Sequence, residues 1–208
     1  MKEDQNSHFL DAFFKPRSVA IIGLSRSAID APVSVLTTLK DFGYGGQIHV
    51  VNPSMKGVEG INVCASLNEL PEPVDLAVIS VHRSSVPGVL QECADNGIRS
   101  AIVITQGFAD ADDEGRQLQE KIVALSKERG LRILGPNTIG VTNALERFTS
   151  SFIEVQRDNA PVGQVAQSGL FMMGHHLMGN DPAGFCLSID LGNTCDIDFV
   201  DVLEYYEQ

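Results

Sequence analysis

SVAIIGLSRSAIDAPVSVLTTLKDFGYGGQIHVVNP, residues 18–53, decides the fold. An apolar run, Val19 to Ile22, breaks at Gly23 into the small polar loop Leu24-Ser25-Arg26-Ser27. A helical pattern follows, with Val33, Leu36 and Leu39 on one side, and stops at Phe42-Gly43. A second apolar run, Ile48 to Val51, ends at Asn52-Pro53. Strand, helix and strand with a glycine at the first turn make the opening βαβ of a nucleotide-binding parallel sheet. A glycine lets backbone come close to a ligand, and free N–H groups at the following helix start attract phosphate. A turn that is merely tight is the plainer reading of Gly23. The dinucleotide fingerprint is missing: Ser25 and Ala28 stand where GxGxxG wants glycines, and Asn52-Pro53 stands where an acid would hold a ribose. NAD binding is disfavoured.

Downstream, the same alternation continues. His8 to Pro16 reads as a short amphipathic segment packed on the sheet through Phe9, Phe13 and Phe14. Ser66 and Glu69 have capping-box spacing for one helical turn ended by Pro71. Leu76 to Val81 is an unbroken apolar strand, so both its faces are covered. Val86, Val89, Leu90, Cys93 and Ala94 repeat at helical spacing, with Asn96-Gly97 as the stop. Then come strand Ala101 to Ile104, helix Glu114 to Arg129 ended by Gly130, and strand Ile133-Leu134. The fold class is α/β: a parallel, doubly wound sheet with helices on both faces. Periodicity fades from about Asn143 to Pro161 and restarts with strand Gln164 to Ala166, helix Leu170 to Met178, strand Phe185 to Ile189 and helix Asp198 to Tyr206. The division is a first domain over 1–145, a linker over 146–162, and a second unit over 163–208 that reads as the opening of a domain cut short.

Composition narrows the ligand. The 208 residues carry a formal charge of −12 with 43% hydrophobic residues, which argues against a nucleic-acid or anionic-membrane surface. An anionic ligand must be gripped locally. No apolar run could span a bilayer and the polar N-terminus has no signal-peptide core. The cysteines Cys64, Cys93, Cys186 and Cys195 show no metal spacing, and a reducing cytoplasm fits them. Ligands of such sheets sit beyond the carboxyl ends of the strands. Those positions are Gly23 to Ser27, Val51-Asn52-Pro53, Val81-His82, Thr105-Gln106-Gly107-Phe108 and Gly135-Pro136-Asn137, with Arg26 and Arg83 as cations.

The turns GLSRS (23–27), VVNP (50–53), TQGF (105–108), GPNTIG (135–140), AQSG (166–169) and GNTCDID (192–198) come in the order seen in NDP-forming acyl-CoA synthetases. From Phe14 to Tyr205 the chain resembles the acetate–CoA ligase (ADP-forming) type and succinyl-CoA synthetase α-subunits. The resemblance implies a Rossmann-like CoA-binding first domain, followed by the start of a flavodoxin-like second one. It puts the CoA phosphates at Gly23, Ser25, Arg26 and Ser27. The rest of the cofactor lies along Val51, Asn52, Pro53, Val81, His82, Thr105, Gln106, Gly107 and Asn137. Gln167, Ser168 and Gly169 start a helix that binds the phosphate of a phosphohistidine. That histidine lies past Gln208, and ATP or ADP with Mg binds on an ATP-grasp partner portion, so this chain binds CoA or acyl-CoA but turns nothing over and has no catalytic residue. The chain departs from the family at Ser34, where glycine is usual, at His82, where proline is common, and at Ala166, where serine is usual. A ligand-sensing module, like that fused to some protein acetyltransferases, is the alternative.

Other candidates read as structural. His175 and His176 are adjacent on a helix and cannot form a one-face metal pair. His49 sits in an apolar strand, whereas His82 sits at a ligand-facing strand end. Cys195 has no histidine near in sequence to activate it. Asp110, Asp112, Asp113 and Glu114, like Asp196, Asp198 and Asp201, read as acidic bias at helix starts. A domain that stops at Gln208 leaves apolar surface exposed, and a homodimer is one way to cover it.

Overall fold

The computed structural model describes residues 8–29, 31–55, 60–153, 161–177 and 185–208, with backbone alone for 175–177. Its first sheet is built from β1 (Ser18–Ile22), β2 (Gln47–Val51), β3 (Asn62–Cys64), β4 (Leu76–Ile79), β5 (Ser100–Val103) and β6 (Arg132–Leu134). The spatial order is β3-β2-β1-β4-β5-β6 and every pairing is parallel. Strand order reverses between β1 and β4, where such sheets open a crevice at their carboxyl edge. Around the sheet run α1 (Asp11–Phe14), α2 (Arg26–Ile29), α3 (Val35–Phe42), α4 (Val86–Asp95) and α5 (Asp113–Arg129).

Both faces of the central strands are buried, as their unbroken apolar runs require. Val19, Ile21, Leu76 and Val78 enter one cluster with α1 and α3, while Ala20, Ile22, Ala77 and Ile79 enter another with α4 and α5. Phe13 and Phe14 of α1 are fully buried, each side chain contributing about 1.5–3 kcal/mol relative to exposure.

Local chemistry sets the boundaries, with two departures from the sequence expectation. Ser34 is the N-cap of α3: its hydroxyl accepts from Thr37 N at 3.2 Å, and the Thr37 hydroxyl accepts from Ser34 N at 2.7 Å. Val33 therefore lies before the helix and is 46% exposed, and the buried face is Val35, Leu36, Leu39 and Phe42. The turn Leu67–Glu69 is a 3₁₀ turn, and Ser66 makes no side-chain cap. Glu69 instead takes the N–H of Ala65 at 2.8 Å. The three-residue strand β3 had no legible period.

The second sheet contains β7 (Val141–Asn143), β8 (Phe148–Thr149), β9 (Gly163–Ala166) and β10 (Leu187–Asp190), in the order β8-β7-β10-β9. It carries α6 (Gly169–Leu177) and α7 (Phe199–Tyr206). The stretch read as a connection thus holds β8, and β7 pairs antiparallel with both β8 and β10. Strands of two and three residues, with Thr142, Asn143 and Thr149 buried in them, carry no hydrophobic alternation. Met178 lies outside the described residues. Among those residues no helix is long and apolar enough to cross a membrane.

One core serves both sheets. Val141, Phe148, Ile189, Leu191, Ile197, Val202 and Tyr205 share the cluster of Val19 and Ile21. Tyr205 stacks on Phe14 with ring centroids 5.2 Å apart and donates to Asp11 Oδ1 at 2.9 Å. After β10 the chain runs along the outer edge of β6, with Asn193 N donating to Pro136 O at 2.8 Å, Cys195 N to Gly135 O at 3.1 Å and Ile197 N to Ile133 O at 3.3 Å. Asp196 accepts from Ile133 N at 2.8 Å and from Arg132 Nε at 2.9 Å, and the Arg132 guanidinium lies 3.7 Å from the Phe9 ring centroid. Asp196→Ala leaves the Ile133 N–H without its acceptor. It should lower stability by about 1–3 kcal/mol, read as an earlier urea midpoint; an unchanged midpoint would show that the edge contact holds nothing.

Candidate functional site

Gly23 ends β1 at the crevice with φ 89°. A Cβ there would stand 2.4 Å from Ser80 O and 2.5 Å from Val81 Cγ1. The glycine is required because the β1 turn crosses directly against the end of β4. The helix expected after it is broken in two: α2 is one turn, and α3 starts afresh at Ser34. Ser25 Oγ accepts from Ala28 N at 3.2 Å and lies 3.0 Å from Ser27 Oγ, so the first turn is capped by its own serines. Arg26 is exposed and, among the described residues, has no ion-pair partner.

The other strand ends are stitched to this turn and to one another. Asn52 Nδ2 donates to Leu24 O at 2.8 Å, while its Oδ1 accepts from Ser54 N at 2.8 Å. That is what the amide does where an acid was absent. His82 opens a short 3₁₀ turn and its Nδ1 lies 2.9 Å from Ser84 Oγ. Thr105 Oγ1 donates to Val81 O at 2.8 Å, and Asn137 N to Thr105 O at 3.0 Å. Arg83 is the strongest tie: it donates to Gly107 O at 2.8 Å and pairs with Asp112 at 2.9 Å and Glu114 at 2.7 Å. Asp112 also caps α5 through Gly115 N at 2.7 Å. That backbone bond, with Arg83 beside it, holds its carboxyl below the usual range. The helix-start reading holds for Asp112, Asp113 and Glu114 at α5 and for Asp198 and Asp201 at α7, whereas Asp110 accepts from Phe108 N and Asp196 holds the edge of β6; the grip of Arg83 needed the fold to be seen.

A second group forms around α6. Gln106 and Asn137, from the rim of the first sheet, join Gln167, Ser168 and Gly169 in the wall of a cavity of about 410 Å³. Gly23, Ser25, Arg26, Ser27, Asn52 and His82 do not line it. Gln167 Nε2 donates to Gly192 O at 3.0 Å, fixing the turn before the helix. The wall also holds Asp190, which sequence reading passed over. An acid closing an apolar strand at its carboxyl end was the signal available.

Of the remaining candidates, His49, Cys93 and Cys195 are packed into the fold. His49 is buried beside Asn62 Nδ2 at 2.9 Å, and burial holds its pKa down. Burial pushes the Cys93 and Cys195 thiols up to about 12, the wrong direction for a nucleophile. His175 and His176 lie on α6, with side chains outside the described residues. Among the described residues no group of three or more His, Cys, Asp or Glu could hold a metal ion.

Residues 17–144 match the family model of the CoA binding domain. The chain belongs to the CoA-binding domain family. Coenzyme A is therefore the ligand of this domain. The chain is 34% identical over 196 residues to acetate–CoA ligase [ADP-forming] II of Archaeoglobus fulgidus, covering 92% of this chain and 29% of that protein. It is 34% identical to acetate–CoA ligase [ADP-forming] II subunit alpha of Pyrococcus furiosus, covering 94% of this chain and 43% of the subunit. The dinucleotide forming acetyl-coenzyme A synthetase 1 of Ca. Korarchaeum cryptofilum, solved with phosphate and ADP, superposes with a TM-score of 0.83 at 29% identity, over 96% of this chain and 43% of that one. The CoA-binding chain thus spans less than half the length of these relatives.

The Gly23 turn gives this CoA-binding domain a sharp test. Gly23→Ala should cost about 2–4 kcal/mol, a clash added to a left-handed residue. Gly130→Ala, at φ 61° with nothing within 4 Å of the added carbon, should cost about 1–2 kcal/mol. Chemical unfolding measures both; equal losses would mean that the close approach to Ser80 is relieved without strain.

Proposed function

We propose that this chain is the CoA-binding portion of an NDP-forming acyl-CoA synthetase, whose whole interconverts acyl-CoA, ADP and phosphate with acid, CoA and ATP. The observation that carries the reading is the shared cavity: Gln106 and Asn137 from the CoA-binding sheet face the Gln167-Ser168-Gly169 turn across one space. Relatives named as ADP-forming acetate–CoA ligases align over more than nine-tenths of the chain, which supports it.

Coenzyme A supplies the thiol that carries the acyl group. In this reading Gly23 lets the backbone of the first turn come close, and Ser25, Arg26 and Ser27 hold the phosphates. Arg26 suits this role because it is exposed and free of an acidic partner among the described residues, in a chain whose net charge of −12 repels anions elsewhere. The cofactor then extends along Val51-Asn52-Pro53, Val81-His82, Thr105-Gln106-Gly107 and Asn137. At the second site the N–H groups that open α6, after Gln167-Ser168-Gly169, hold a phosphate. The phosphohistidine and the nucleotide with Mg come from an ATP-grasp partner and from sequence outside this chain. The naming of a Pyrococcus furiosus relative as a subunit alpha supports a partner component. All four cysteines are free thiols, which supports a cytoplasmic setting.

Calorimetric titration with CoA, with NAD⁺ as control, tests the reading. Saturable CoA binding, no NAD⁺ binding, and about tenfold weaker CoA binding in Arg26→Ala, about 1.4 kcal/mol, are the expected results. CoA binding that ignores Arg26→Ala would move the phosphates off this turn. Absence of CoA binding would overturn the synthetase reading in favour of a sensor for another ligand.

A further inference from the structure

Asp190, the last residue of β10, is 1% exposed, yet it forms part of the wall of the cavity shared by Gln106, Asn137 and the Gln167–Gly169 turn. Its Oδ2 accepts from Ile139 N at 2.8 Å and its Oδ1 from Gly192 N at 3.2 Å. The same Oδ2 lies against the start of α6: a Cβ added to Gly169 would stand 3.0 Å from it. The carboxylate therefore sits beside a nine-residue helix whose first N–H groups and dipole favour negative charge.

Among the described residues no other charged side chain lines this cavity. The groups packed on Asp190 are the Thr138 hydroxyl and Ile139 N–H on one side, the Gly192 N–H on another, and Gly169 of α6; none of them titrates. His175 and His176 follow further along α6, with side chains outside the described residues. A phosphate held at the start of α6 and an ionised Asp190 would be two like charges at one helix end with no cation in the described wall. Paired carboxylates in that situation keep one proton between them.

We propose that this cavity takes up a phosphate-type dianion only together with one proton, drawn from solvent and held between the Asp190 carboxyl and an anion oxygen. The proposal rests on the phosphate reading of the Gln167–Gly169 turn and adds to it the form in which the ligand is bound. Asp190 then acts as a specificity residue, donating O–H to the anion while its backbone N–H partners stay in place. Burial already pushes this carboxyl up, against the pull of the Ile139 and Gly192 N–H groups.

Sulfate is the probe, because it does not titrate between about pH 5 and about pH 9 and so leaves the protein as the source of any proton linkage. Sulfate affinity of the full chain should fall about tenfold per pH unit above the Asp190 midpoint. In Asp190→Asn, which cannot ionise, it should be flat. By reciprocity, saturating sulfate should raise the midpoint of the Asp190 carboxyl followed by ¹³C NMR in the unaltered protein. That measurement decides the matter if Asp190→Asn does not fold. The pH dependence should persist in a His175→Gln, His176→Gln background; its loss there would assign the proton to the histidines and overturn the proposal. Flat sulfate binding in the unaltered protein would overturn it too while leaving the phosphate reading intact. Failure to bind sulfate or phosphate at any pH, with or without Asp190, would instead remove the phosphate reading itself.

Discussion

Pairing of residues 193–197 against the outer edge of β6 is the contact on which the rest of the architecture depends. Without it β6 would be an open edge, and among the described residues the second sheet would keep side-chain contacts to the first but no backbone pairing. The backbone bonds to Ile133, Gly135 and Pro136 fix that sheet in the hydrogen-bonding direction. Asp196 then locks the register by taking both the Ile133 N–H and the Arg132 guanidinium. Because the register is fixed, Ile189, Leu191 and Tyr205 reach the same core as Val19 and Ile21, and α6 starts within reach of Gln106 and Asn137. The cavity is a product of this edge pairing and not of either sheet alone.

Elements with a strong period were legible from sequence. The apolar runs of β1, β4 and β5 announced strands, the unbroken one of β4 a strand covered on both faces, and α4 and α5 carried their apolar stripes and glycine stops in plain view. Short elements were not. β3, β7 and β8 have two or three residues each, too few for an alternation to stand out, and buried threonines in β7 and β8 disguise them as loop. Their existence is dictated by partners distant in sequence. The same limit hid the real start of α3, since only the geometry reveals Ser34 as its cap.

For the candidate site, the rule that ligands gather at carboxyl ends of parallel strands singled out the rim, and family membership names the ligand of the domain. What sequence could not supply was the division of that rim into two groups. Gln106 and Asn137 lie far along the chain from Gln167–Gly169, and only the folded chain brings them into one space. Asp190, marked in sequence only as an acid closing an apolar strand, is hard to read for a related reason. Its carboxylate matters through Ile139, Gly169 and Gly192, none of which is recognisable as its partner from spacing.

Thr105, Gln106 and Gly107 carry one more consequence. Thr105 holds the end of β4, Gln106 faces the cavity beside α6, and Gly107 is pinned by Arg83. Consecutive residues of this loop, each a single peptide unit of about 3.8 Å from the next, therefore tie together the end of β4, the cavity wall and the Arg83 contact. A displacement of Gln106 in that wall is passed by covalent geometry to Thr105 and Gly107, so the cavity is mechanically coupled to the edge of the first sheet.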